Sequence, residues 1–194
     1  PEDGSIAWKV DRTFPVQKES GQAYTTPYLT TIAGQETLVI WGADHLTGHD
    51  PKDGKTLWTC GGFNPEDKAM WRVIASPAFS DDIAVVPYGR AKFTAAVKLG
   101  GTGDITSSAR LWERTDIGAD CPTPVASEGR VYLLSDRGKI HCLDIHTGKD
   151  LIEVARMHIA TTGKDDAIQM LEHARINAPL CVGCETGAIG QHCG

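Results

Sequence analysis

Arg130-Val131-Tyr132-Leu133-Leu134-Ser135-Asp136-Arg137-Gly138-Lys139-Ile140-His141-Cys142-Leu143-Asp144-Ile145-His146-Thr147-Gly148-Lys149 decides the fold. It opens with a short apolar strand and turns at Asp136-Arg137-Gly138. A second strand ends at Leu143-Asp144, and Thr147-Gly148 makes the next turn before the apolar pair Leu151-Ile152. Asp-Gly and Thr-Gly steps supply the positive φ that tight hairpins need. Cys142, between Ile140 and Leu143, reads as a small buried core residue.

The same landmarks recur upstream. A hydroxyl residue followed by Pro and apolar residues appears as Thr26-Pro27-Tyr28-Leu29, Ser76-Pro77-Ala78-Phe79 and Thr123-Pro124-Val125-Ala126, the prolines 50 and 47 positions apart. An apolar strand follows each: Thr37–Gly42, Ile83–Gly89 and Arg130–Ser135. A turn running into an apolar-Trp pair appears before Trp8, as Pro51-Lys52-Asp53-Gly54-Lys55 before Leu57-Trp58, and as His146–Lys149 before Leu151-Ile152. The middle copy keeps only Leu111-Trp112. Gly4 and Gly54 are 50 positions apart, and Gly54 and Gly148 are 94 apart, two periods of 47.

Short strands split by regular turns mean a sandwich, a barrel or a propeller. A fixed period of this length selects the propeller, in which each repeat is one four-stranded blade. Pro has no N–H to give a ladder, so the Ser/Thr-Pro steps belong at the start of each inner strand. The outer-strand Trp is expected to bury a large face between neighbouring blades. The expected fold is all-β: an incomplete β-propeller of about three four-stranded antiparallel blades, plus a short C-terminal helical or irregular tail. Blades are expected over about 23–60, 72–114 and 119–155, with 5–11 as a leading outer strand and Lys98–Thr106 as a Gly-rich loop inserted in the middle repeat.

The order apolar strand, Asp-x-Gly, strand ending Leu-Asp, then Thr-Gly-Lys resembles the PQQ-like β-propeller repeat family over residues 1–156. Leu151-Ile152 departs from that family's Leu-Trp. The resemblance implies parents of seven or eight blades, so three repeats form an arc. An arc leaves two blade faces uncovered, which points to homo-oligomerisation through the open faces or to cover from the tail. It also implies an exported or periplasmic parent. No charged stretch followed by an apolar run opens this chain, and it does not begin with Met, so it reads as an excised or processed piece.

From Met157 the repeat stops. Residues 165–176 read as a helix, acidic at its start and closed by Asn177-Ala178-Pro179. Cys181-Val182-Gly183-Cys184, with His192-Cys193 eight residues on, is a candidate zinc site of Cys181, Cys184, His192 and Cys193. A disordered end, or cysteines packed or oxidised, are the competing readings. Glu185 stands where a c-type haem motif needs His.

The 194 residues are 41% hydrophobic and 23% charged, enough for a core and too apolar for wholesale disorder. The net charge of −6 excludes an ordinary nucleic-acid binder. No apolar run approaches the ~20 residues of a membrane helix, so no membrane insertion is expected. Asp44, His45, His49 and Asp50 are the ligand candidates, expected on one loop. Lys98–Gly103 has the glycines of a phosphate loop without its Gly-Lys-Ser/Thr.

The catalytic branch of the resembling family implies PQQ, Ca²⁺, an Asp base and often a vicinal disulfide. This chain has no adjacent cysteine pair. No catalytic residue and no cofactor are therefore expected, zinc on the tail being the alternative and PQQ the least expected. The expected function is a non-catalytic binding or scaffold protein for a protein or small-molecule ligand, with strand addition at an exposed edge as one mode. The alternatives are a remnant of a PQQ/Ca-dependent dehydrogenase and a truncated fragment without a selected ligand.

Overall fold

The computed structural model describes residues 3–156, so the expected helix over 165–176 and the tail cysteines lie outside the described residues. Blade one is β1 (Tyr28–Ile32), β2 (Gln35–Gly42), β3 (His45–His49) and β4 (Thr56–Cys60). Blade two is β5 (Ala78–Ser80), β6 (Ile83–Tyr88), β7 (Phe93–Lys98) and β9 (Arg110–Arg114), with β8 (Gly103–Asp104) lying elsewhere. Blade three is β10 (Val125–Ser127), β11 (Arg130–Leu134), β12 (Lys139–Asp144) and β13 (Asp150–Arg156). Within each blade the strands pair antiparallel in chain order.

Each inner strand begins directly after its Ser/Thr-Pro step, where the missing N–H costs nothing. Pro87 sits inside β6, opposite Thr94 of β7. It is tolerated there because β5 is only three residues long and pairs no further along β6 than Val85. The Ser/Thr hydroxyls also link the blades: Thr26 N donates to Ser76 Oγ at 3.0 Å, and Ser76 N donates to Thr123 Oγ1 at 3.2 Å.

Every residue of β6 is buried. Its side chains alternate between two cores. Ala84, Val86 and Tyr88 join Val39, Trp41, Leu46 and Phe63 between blades one and two. Ile83 and Val85 join Val131, Leu143 and Ile145 between blades two and three. A sheet packed on both faces against neighbouring sheets is the radial wedge arrangement of a propeller. Each fully buried Val contributes roughly 1.5–3 kcal/mol.

The tryptophans act as expected. Trp112 on β9 donates from Nε1 to Ile145 O at 2.8 Å in blade three and lies over Gly148 (φ +67°), where a Cβ would come within 2.6 Å of the indole. Trp8 repeats the contact on blade one, donating to Pro51 O at 2.9 Å over Gly54 (φ +75°). Two expectations are corrected. Residues 5–11 form no strand, because no strand among the described residues lies beside them, although Trp8 docks as an outer-strand Trp does. The inserted Gly-rich stretch is not simply a loop. Its β8 pairs parallel with β4, Trp58 opposite Gly103, and covers the outer edge of blade one.

Candidate functional site

Asp44, His45, His49 and Asp50 do not share one loop. Asp44 sits in the β2–β3 turn beside Ala43, both at positive φ (58° and 49°), the conformation of a type I′ hairpin. His45 and His49 are the two ends of β3, and four extended steps along the strand separate them by about 13 Å. Asp50 lies past the far end, where its carboxylate caps Lys52 N at 2.9 Å.

Each of these side chains has a structural partner. The His45 ring stacks on Phe14 at 3.8 Å, and its Nδ1 meets Ala43 O at 2.7 Å. His49 is buried with Nε2 2.9 Å from Thr47 Oγ1 and Nδ1 3.1 Å from Gly54 O. Burial pushes its pKa down, so it is neutral. Arg12 donates to Thr47 Oγ1 at 2.9 Å, Gly42 O at 2.9 Å and His45 O at 2.8 Å, and burial lowers its pKa to about 10. This network pins residues before blade one onto the sheet.

Asp44 is 7% exposed and meets groups from two other elements. Asn64 Nδ2 donates to its Oδ2 at 2.9 Å, and its Oδ1 hydrogen-bonds the Tyr88 hydroxyl. That hydroxyl also lies 2.5 Å from Trp71 O. Tyr88 has one proton for two acceptors. The hydroxyl divides its proton between the Asp44 carboxyl and Trp71 O. Burial pushes the Asp44 carboxyl up, against the opposing hydrogen bonds of Tyr88 and Asn64. Asp44, a ligand candidate by sequence, is a buried tie between blade one, blade two and the 61–77 connection.

A site the sequence reading missed opens between blades two and three, a cleft of about 840 Å³. Its origin is a length difference. Phe63 and Ile117 stand five residues after Trp58 and Trp112, and each plugs a blade junction. Thirteen positions then separate Phe63 from Ser76, but only six separate Ile117 from Thr123. The longer connection lays Trp71 against Tyr88, ring centroids 5.5 Å apart; the shorter one leaves space. Gly118 presses this connection onto β7, with no room for a Cβ beside Phe93 O at 2.7 Å. Comparing those two spacings is the signal that would have found the cleft.

Charged groups line it. Arg114 ties Asp116 (2.5 Å) and Asp150 (2.8 Å) across the junction and donates to Gly148 O at 3.1 Å. Asp136 accepts from Asp120 N at 2.8 Å and Cys121 N at 3.1 Å. Burial, then the neighbouring Asp136, raises the Asp120 carboxyl. Burial, then Lys139, lowers the His141 pKa. Lys92, Arg137 and Lys139 are exposed and enter no ion pair among the described residues.

Cys60, Cys121 and Cys142 form no disulfide among the described residues, and Cys142 is buried as expected of a core residue. No group of three metal-ligating side chains gathers among the described residues. Cys181, Cys184, His192 and Cys193 lie outside them.

A family model described as outer membrane protein assembly factor BamB matches residues 1–103. No curated protein matches the chain. Among solved structures the chain is similar to BamB from Moraxella catarrhalis at 15% identity, over 71% of this chain and 36% of that one, with a TM-score of 0.45. It is similar to a europium-containing methanol dehydrogenase at 14% identity, over 70% of this chain and 25% of that one, with a TM-score of 0.50. A computationally designed protein, Ika4, matches at 16% identity over 77% of this chain and 79% of its own, with a TM-score of 0.50. The chain thus spans about a third of the BamB structure and a quarter of the dehydrogenase. At these identities the likeness shows fold alone.

Proposed function

Because this chain belongs to the PQQ-like β-propeller family whose model is described as outer membrane protein assembly factor BamB, we propose that it is a non-catalytic binding protein that holds a polypeptide segment of a partner. The observation that carries this reading is the 840 Å³ cleft between blades two and three. It is large enough to bury several side chains, and it is walled by hairpin turns and a short connection, the parts of a propeller that are free to vary without disturbing the blades. The family description, a protein-assembly factor, supports a polypeptide occupant. The reading includes work in an exported setting and self-association through the outer faces of blades one and three.

The reading has no quinone cofactor and no calcium, supported by two features. The described residues gather no set of three ligating side chains, and the sequence has no adjacent cysteine pair. The function is tested by panning a peptide library on the full chain and mapping a recovered peptide by amide shift perturbation. Shifts at Lys92, Gly118 and Arg137 are expected; a peptide that perturbs only other surfaces, or no recovered peptide, refutes the reading. PQQ and Ca²⁺ added together are expected to give no bound quinone absorbance.

A further inference from the structure

The charge pattern of the cleft carries an inference that rests on the binding reading above. We propose that the cleft takes a carboxylate-rich peptide segment, its acidic side chains met by Lys92 on one wall and by Arg137 and Lys139 on the other. Lys92 belongs to the β6–β7 turn of blade two; Arg137 and Lys139 belong to the β11–β12 hairpin of blade three. These are the cations of the cleft with no carboxylate of their own among the described residues.

The carboxylates of the cleft make their short contacts with other groups, not with these three cations. Asp116 and Asp150 both sit on Arg114. Asp136 is held by two backbone N–H groups. Asp120, half-buried beside Asp136, is pushed toward its neutral form. Arg90, the remaining cation on the blade-two wall, is spent on Glu19 at 3.3 Å and Met70 O at 3.0 Å. The chain as a whole carries −6, so this cationic rim is not a sample of the general surface.

The same geometry argues against a compact anion such as phosphate. Such ions are cradled by converging backbone N–H groups. The adjacent pair of N–H groups in this cleft, from Asp120 and Cys121, is already closed by Asp136. Cations standing on two separate blades suit charges spaced along a chain.

The test titrates the full-length chain with length-matched acidic, neutral and basic fluorescent peptides, with inorganic phosphate as competitor. The acidic peptide is expected to bind tightest and to weaken with added salt. The variant Lys92→Glu/Arg137→Glu/Lys139→Glu alters exposed side chains only, so its circular dichroism should match the parent, and it should bind the acidic peptide roughly tenfold more weakly or worse. Equal binding of the three peptides leaves the binding reading standing and overturns the acidic occupant. So does undiminished binding by the variant, or displacement by phosphate as effective as by the acidic peptide. Binding of none of the peptides overturns both.

Discussion

Gly48→Ala is the sharpest test of the blade packing, because two physical effects on it have opposite signs. Gly48 lies on β3 directly opposite Trp58 of β4. Its φ is not in the left-handed region, so backbone conformation alone would make Ala an improvement worth about 0.5–1 kcal/mol in a strand. A Cβ there, however, falls 2.2 Å from Trp58 Cε2 and 2.4 Å from Nε1. Carbon atoms rest at about 3.5–4.0 Å, so the indole must retreat by more than an ångström. It has nowhere to go, being 1% exposed with β8 paired along its strand. Overpacking costs about 1–3 kcal/mol, and loss of part of the Trp burial pushes the total to the upper end. Gly48→Ala should therefore destabilise by about 3 kcal/mol, a large share of the 5–15 kcal/mol typical of a domain. Urea unfolding followed by far-ultraviolet circular dichroism measures it without relying on the tryptophan signal. In a Trp58→Leu background the contact is gone and the cost should shrink by about 2 kcal/mol. Additivity of the two substitutions, or stabilisation by Gly48→Ala alone, refutes the packing argument.

Two further outcomes are expected. Asp44 has a folded pKa above its unfolded value, so its contribution is fully present below the ordinary carboxylate value near 4 and is lost as pH rises through the raised value. Asp44→Asn removes the buried charge and keeps an acceptor for Asn64, so it should raise Tm at pH 8 and leave it nearly unchanged at pH 3; equal shifts at both pH values would count against a raised Asp44 pKa. Trp112→Phe removes the bond to Ile145 O and should cost about 1–2 kcal/mol in urea, with loosened amide exchange concentrated at the junction of blades two and three.

The repeat was legible because each of its signals is local. Ser/Thr-Pro marks a strand start by chemistry that depends on one residue, and the runs at Leu38–Trp41, Ile83–Val86 and Val131–Leu134 announce strands by composition. What was not legible depends on contacts far along the chain. β8 looks like a glycine loop because its ladder partner lies more than forty residues away in another blade. Asp44 looks like a solvated turn residue, and its burial comes from Tyr88 and Asn64 on other elements. His45 and His49 look like neighbours in a loop until the strand between them is drawn. The cleft is the absence of a filling segment, which a list of residues does not display.

The hydroxyl relay through Thr26, Ser76 and Thr123 has a direction. Each blade offers its oxygen to the N–H of the blade before it, so within the described residues Thr26 Oγ1 is the acceptor left over at the leading end and Thr123 N–H the donor left over at the trailing end. Two arcs placed leading face to leading face would bring two Thr26 hydroxyls together with no backbone N–H between them, and so could not continue this pattern of N–H to hydroxyl bonds. A pair of copies extends it only when each trailing end meets the other's leading end, which requires the dyad to run down the propeller axis and not across it. The relay thus gives the arc a polarity, carried by side chains that are neither apolar nor charged.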